Sequence, residues 1–263
     1  MSKELVSIIM GAYNCEKTVG KCIESVINQT YTNWEFVICD DCSTDRTLDV
    51  LKKYAKEDSR IKVIKNKKNS KLAYSLNHCL KYCKGVYIAR MDADDECVPK
   101  RLEKQVLFLD IHRDTDVVGS AAKIFDGEKI TGIRKLKEIP TKKDVLKGPT
   151  FMHPTIMMRK KVYDALEGYT VANRTIRGQD WDLWFRFFAK GYKGYNLQEP
   201  LLIYHESVGD YKKRTLKTAI MYTQTALFGY GLLRVPFYQY IYVVKPLIAA
   251  LIPQKILARC HKK

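Results

Sequence analysis

Short apolar runs alternate with amphipathic stretches through residues 5–98. Leu5 to Met10 is the first run, and Gly11-Ala12-Tyr13-Asn14 breaks it as a turn after a strand does. Val19, Cys22, Ile23, Val26 and Ile27 recur at helical spacing, which predicts that one face of residues 17–29 is buried. Glu35 to Cys39 reads as a second strand running into Asp40-Asp41-Cys42-Ser43-Thr44-Asp45, and Leu48, Leu51, Tyr54 and Ala55 mark another amphipathic helix. A strand at Ile61 to Ile64, a helix from about Lys71 to Cys83 and a strand at Val86 to Met91 continue the alternation. Strand-loop-helix units in series predict parallel strands, and ligands bind at the carboxyl edge of such sheets.

The fourth strand ends in Met91-Asp92-Ala93-Asp94-Asp95-Glu96. Carboxylates crowded at a sheet edge repel one another, and a divalent cation relieves the repulsion. Asp-x-Asp suits Mg²⁺ or Mn²⁺, hard ions that also take phosphate oxygens, whereas Zn²⁺ recruits His or Cys. The plainer alternative is a solvated acidic turn capping a helix that starts near Pro99. Ordinary turn chemistry is likewise the alternative for the two earlier loops, because Asn, Asp, Ser and Gly serve any strand-to-helix turn.

Charge adds a partner class. The net charge of +17 calls for an anionic partner: nucleic acid, an acidic membrane surface or a nucleotide-like substrate. From Tyr211 to the end there is no Asp or Glu, while ten Lys and Arg lie there, from Lys212 to Lys263. Leu216, Ala219, Ile220, Thr223 and Leu227 allow an amphipathic helix in this tail, and Pro236 to Ile252 is apolar and aromatic. Lys245-Pro246 interrupts that stretch, which favours a helix lying on a membrane over one spanning it, with Tyr238, Tyr240 and Tyr242 at the interface. Packing on the domain or on a second copy is the alternative. The N-terminal MSKELVSIIM lacks a signal peptide's apolar stretch, so the eight cysteines are expected as buried free thiols in a reducing cytosol. Cys39/Cys42 and Cys79/Cys83 are the pairs that zinc would need.

Val6-Ser-Ile-Ile-Met-Gly-Ala-Tyr-Asn14, Ser25-Val-Ile-Asn-Gln-Thr-Tyr31, Asp40-Asp-Cys-Ser-Thr-Asp45 and Met91-Asp-Ala-Asp-Asp95 resemble successive signatures of the family 2 glycosyltransferases. The resemblance continues through Pro99-Lys-Arg-Leu102, His153-Pro-Thr155, Gln179-Asp-Trp-Asp-Leu-Trp184 and Asn196-Leu-Gln-Glu-Pro-Leu-Leu202, covering roughly residues 5–205 in order. It implies an α/β GT-A fold: a Rossmann-like, mostly parallel sheet flanked by helices. A nucleotide half at about 1–98 and an acceptor half at about 99–210 would be followed by a helical basic extension at 211–263.

The activity implied is inverting transfer of one sugar from a nucleotide donor, commonly a UDP-sugar, with Mn²⁺ or Mg²⁺. The acceptor would be a glycan or lipid-linked sugar of a cell-surface polysaccharide. The enzyme would work from the cytoplasm, peripheral on the inner face of the plasma membrane, as a monomer or homodimer.

Carried over residue by residue, Ala12 and Tyr13 would meet the nucleotide, Tyr13 by stacking on the base, and Asp41 would accept the uracil N–H. Lys71 would meet base or phosphate as a point charge, and Asp92 would hold the ribose or an outer water. Asp94 and His205 would bind the metal, with Asp95 in support. Asp180 would be the catalytic base, its structural alternative being a helix cap. Gln179 stands where many relatives carry Glu. His153 would shape the acceptor pocket, and Trp181 and Trp184 read as core. A sugar-nucleotide pyrophosphorylase and a non-catalytic nucleotide-binding module are the rivals. Nucleic-acid binding rests on charge alone and is not expected.

Overall fold

The computed structural model describes residues 4–206, 215–244 and 247–248. Strands β1 (Val6–Ala12), β2 (Trp34–Asp40), β3 (Ile61–Lys65) and β4 (Tyr87–Arg90) run parallel in the order β3-β2-β1-β4. Helices α1 (Val19–Ile27), α2 (Thr47–Glu57) and α3 (Leu72–Leu80) connect them. β1 and β2 are buried almost throughout because helices cover both faces of the sheet, and side chains alternate between them. Ile8, Met10, Phe36 and Ile38 join Val19, Ile23 and Val26 in one core. Ile9, Val37 and Cys39 join Ala73, Leu76 and Cys79 in the other.

Beyond β4 the sheet becomes mixed. β5 (Glu96–Cys97), α4 (Arg101–Ile111), β6 (Val117–Phe125), β7 (Ile130–Arg134), β8 (Met157–Arg159), α5 (Lys160–Ala165), α6 (Gln179–Ala189) and β9 (Gly194–His205) follow. The sheet order continues β4-β8-β6-β9-β5, with β8 antiparallel to both neighbours, β9 parallel to β6, and β7 pairing with β6 outside this path. β5 and β9 therefore bring Glu96 and His205 together beside the carboxyl end of β4.

Of the seven cysteines among the described residues, all free, five are buried as expected, while Cys15 and Cys42 are half-buried.

The tail expectation resolves in part. Helix α7 (Leu216–Leu232) packs Ala226 and Tyr230 into the same core as Trp184 and Phe187. Tyr230 donates to the Leu146 carbonyl at 2.7 Å, and Thr225 donates to that of Arg174 at 2.9 Å. A 3-10 segment, Phe237–Val244, follows. Lys212, Lys213, Arg214, Lys245, Pro246 and residues 249–263 lie outside the described residues.

Gly229 is where α7 approaches α6 most closely, and a Cβ there would overlap the Phe185 ring. Gly229→Ala is expected to destabilise the protein by about 2 kcal/mol through overpacking, lowering its melting temperature by roughly 4 °C or more. An unchanged melt would show that α7 is not docked on Phe185.

Candidate active site

The loops after β1 and β2 are tied together by their own polar residues. The Asn14 side chain accepts from the Thr44 amide at 2.9 Å, Ser43 Oγ accepts from the Asn14 amide at 3.1 Å, and Thr47 Oγ1 accepts from the Cys15 amide at 2.8 Å. Asp45 accepts from the Glu16 amide at 3.2 Å. Much of Asp40 to Asp45 thus builds the loop pair, as ordinary turn chemistry would have it. Ala12 is buried and its carbonyl accepts from the Asp41 amide at 2.8 Å. Tyr13, next along, is 48% exposed, an aromatic face open to solvent at the sheet edge.

Asp41 is buried and highly organised. Its Oδ1 accepts from Asn66 Nδ2 at 2.7 Å and the Ser70 amide at 2.8 Å, while Oδ2 accepts from the Lys71 amide at 2.9 Å. Oδ2 so retains acceptor capacity for a further N–H. Asn66 is the brace: its own Oδ1 lies 2.8 Å from His78 Nδ1, and its amide also donates to Ser75 at 2.9 Å.

Lys71 holds φ 72° and ψ 167°, a region that glycine alone occupies without strain. Its amide bond to Asp41 fixes this conformation. Lys71→Gly is expected to raise stability by about 1 kcal/mol as strain is relieved against the entropy of glycine. The same variant should bind UDP more weakly if the Lys71 ammonium meets the nucleotide. A thermal melt with and without UDP reads both.

Asp92, Asp94 and Asp95 converge after β4, each offering an oxygen within 4.8 Å of the others, the one such group of His, Cys, Asp or Glu among the described residues. The three differ in surroundings. Asp92 is paired with the buried guanidinium of Arg90. Asp94 is exposed. Asp95 is buried, its Oδ1 accepting from the His205 amide at 2.9 Å, while Oδ2 has no hydrogen-bond partner among the described residues. Burial, reinforced by the charges of Asp92 and Asp94, pushes the Asp95 carboxyl well above the usual range. An orphaned carboxylate oxygen beside two more acids is what an oxygen-seeking divalent cation satisfies, so the residues fit Mn²⁺ or Mg²⁺.

His205 reaches the cluster through its backbone. Its ring is directed elsewhere, with Nε2 3.3 Å from Glu96 Oε1 and the ring against Phe125. In the β1–α1 loop burial pushes the Cys15 thiol up to about 11, with the charges of Asp45 and Asp94 adding to it.

Helix α6 carries the candidate base. Gly178 caps it with φ 83°, and a Cβ there would meet Tyr222 Cε1 of α7 at 2.9 Å, so only glycine suits both the conformation and the contact. Asp180 is the second residue of the helix rather than its cap. Burial raises its pKa, while the Trp181 amide and the charge of Arg90 oppose the rise and Asp92 adds to it. Asp180 therefore shares the electrostatic field of Arg90 and Asp92. Trp181 and Trp184 are buried, as expected, with Trp181 Nε1 donating to the Val145 carbonyl at 2.7 Å. His153 is also buried, 2.8 Å from the Tyr169 hydroxyl, and burial plus the charge of Arg90 push its pKa well below the ordinary value, so it stays neutral.

Three supporting residues received no role from the sequence, although Gln29 and Arg101 lie within matched signatures. Arg90 sits in an apolar strand, fully buried, and neutralises Asp92. Arg101, also buried, donates to the Arg90 carbonyl at 2.8 Å and to Ile156 at 3.3 Å, clamping the end of β4. Gln29 accepts from the Leu102 amide at 3.0 Å and donates to Val98 at 2.9 Å, fixing the exit of the acidic loop. A charged residue within an otherwise apolar strand was the available signal for Arg90.

The architecture and site define a glycosyltransferase of GT-A fold. Residues 7–167 match the profile described as Glycosyl transferase family 2, and the chain belongs to that family. It is 48% identical to the putative glycosyltransferase EpsE of Bacillus subtilis, over 98% of this chain and 93% of that protein. It is 33% identical to the Escherichia coli UDP-Glc:alpha-D-GlcNAc-diphosphoundecaprenol beta-1,3-glucosyltransferase WfaP, over 82% of this chain and 83% of that one. Among solved structures, S. aureus TarS with UDP superposes with a TM-score of 0.66 at 21% identity, covering 87% of this chain and 69% of that one. The mannosyltransferase PcManGT of Pyrobaculum calidifontis, with GDP-Man and Mn²⁺, gives 0.64 at 17% identity, covering 97% and 79%.

Proposed function

We propose that the protein transfers one sugar, with inversion, from a UDP-sugar to a glycan or lipid-linked acceptor in cell-surface polysaccharide biosynthesis. What supports this reading is the convergence of Asp92, Asp94 and Asp95 after β4, together with an Asp180 carboxyl on which the charges of Arg90 and Asp92 bear. Relatives named for teichuronic acid, O-antigen and diphosphoundecaprenol-linked glycans support the acceptor class.

Tyr13 offers its exposed ring to the base, beside the buried, backbone-packed Ala12. Asp41, braced by Asn66, accepts the base N–H on Oδ2, and Lys71 stands at the rim of the same pocket. Asp92, paired with Arg90, faces the ribose. Asp94 and Asp95 would hold Mn²⁺ or Mg²⁺, while His205, expected as a ligand, supports Asp95 through its backbone amide with its ring turned to Glu96 and Phe125. Such an ion, when bound, stabilises the negative charge growing on the departing diphosphate. Asp180 takes the proton from the acceptor hydroxyl as that oxygen attacks the anomeric carbon from the side opposite the diphosphate. A single displacement inverts the configuration. The work is done from the cytoplasmic side, peripheral to the membrane, where nucleotide donor and lipid-linked acceptor meet.

A pyrophosphorylase would need a glycine-rich, basic phosphate loop after β1, and Gly11 to Asn14 is occupied instead in locking two loops together. The test is product stereochemistry after a screen of UDP-, GDP-, dTDP- and CMP-sugars. An α-linked donor is expected to yield a β-linked product by NMR; an α-linked product would refute single displacement.

A further inference from the structure

We propose that the outer face of α7 and of the 3-10 segment after it docks on an anionic lipid bilayer. α7 is apolar on both sides. Ala219, Ala226 and Tyr230 are buried against the domain, while Leu216, Ile220 and Leu227 share a neighbouring stripe and are exposed. The exposed surface continues into Phe237, Tyr238 and Ile241, which are 88%, 75% and 71% exposed. A helix apolar all round is normally covered all round, and contiguous exposed apolar surface marks an interaction site.

Charge selects the occupant. From Thr215 to Val244 the charged residues are Lys217 and Arg234, and the chain from Tyr211 onward carries ten basic residues and no acid. A second copy would present the same sign to this face, whereas anionic headgroups complement it. Among the described residues no helix is long and apolar enough to cross a membrane, so the surface lies on the bilayer rather than in it. Tyr238 and Tyr242 suit the headgroup zone.

The placement has a consequence for transfer, which rests on the reading that the acceptor is lipid-linked. Tyr222 of α7 fills the space over Gly178, the residue that starts the helix bearing Asp180. Docking through α7 thus holds the base at a fixed height above the bilayer, within reach of a sugar on a membrane lipid.

Removing the tail would strip Tyr230 and Ala226 from the core, so point substitutions on the full chain are the clean test. Cosedimentation with phosphatidylcholine vesicles, with and without phosphatidylglycerol, is measured for wild type and for Phe237→Asp/Ile241→Asp. Leu107→Asp/Ile111→Asp, on the exposed side of α4, is the control. Wild type and control should partition onto anionic vesicles, more weakly at high salt, and the tail variant about tenfold less or lower still. Unchanged melting temperature and unchanged stabilisation by UDP with Mn²⁺ in the tail variant separate loss of docking from loss of the fold or of the donor site. If the aspartates unfold the protein, Phe237→Ser/Ile241→Ser replaces them. Equal partitioning of wild type and tail variant, or none by wild type, would overturn the proposal. So would a lipid-free dimer, seen by light scattering, that the substitutions convert to monomer.

Discussion

Asp180→Asn is expected to lower transfer by about 10²- to 10⁴-fold, the range over which a positioned general base contributes, while UDP affinity stays at the wild-type level. The amide keeps the shape of the carboxyl and an oxygen for the Trp181 amide, but it does not take a proton from an attacking hydroxyl. Stability supplies a second signature. Burial raises the Asp180 pKa in the folded protein, so its stabilising contribution is present below the unfolded pKa and is lost as pH rises through the folded one. Asparagine never ionises, so the variant should be at least as stable as wild type at neutral pH. The same shift governs rate: transfer by wild type should fall as pH drops through a value above the ordinary carboxylate pKa of about 4. Parallel loss of transfer and UDP binding in Asp180→Asn would instead assign this carboxylate a structural role.

Asp94→Ala is expected to abolish metal-dependent transfer, and chelation of wild type should do the same. Asp94 is the exposed member of the three acids. Its loss removes one of the charges that raise the Asp95 carboxyl, which should leave the fold intact or slightly more stable. Transfer that survives chelator in wild type would exclude the cation from the reaction. Transfer that survives Asp94→Ala alone would move the ion onto Asp92 and Asp95.

The nucleotide half was legible because its strands pair with near neighbours and its helices bury one regular stripe. Val19, Cys22, Ile23 and Val26 are buried as their spacing predicts. The helix expected from Lys71 instead begins at Leu72, because the amide of Lys71 is turned toward Asp41. The mixed half was less legible from pattern alone. β8 has three residues, and β6 pairs with β9 across some eighty positions, neither of which leaves a local period. Docking of α7 on the domain was the alternative reading, and the stripe differs: of the residues placed on one face, Leu216, Ile220 and Leu227 are exposed, while Ala219, Ala226 and Tyr230 are buried.

The site divides in the same way. Residues that project beyond the sheet edge, Tyr13, Asp94 and the start of α6, are visible as motifs. Of those that hold them, Arg101, Gln29 and Asn66 act through partners far along the chain, at Ile156, Val98 and Asp41, while Arg90 is a charge inside an apolar strand beside Asp92. Part of the Asp40 to Asp45 signature proved to be scaffold, since Ser43, Thr44 and Asp45 are engaged by Asn14 and Glu16. Asp41 is the member of that run whose carboxyl organises the next loop.

The central claim is that a nucleotide donor and a divalent cation bind together at the acidic end of β4. Thermal shift of wild type and Asp94→Ala, with UDP, Mn²⁺, both or neither, tests it most directly. At a UDP concentration of about 100 times Kd, the wild type should melt roughly 5 °C higher only when UDP and Mn²⁺ are both present, and Asp94→Ala should show no such synergy. Equal stabilisation by UDP in chelator and in Mn²⁺, or an undiminished joint effect in Asp94→Ala, would contradict it.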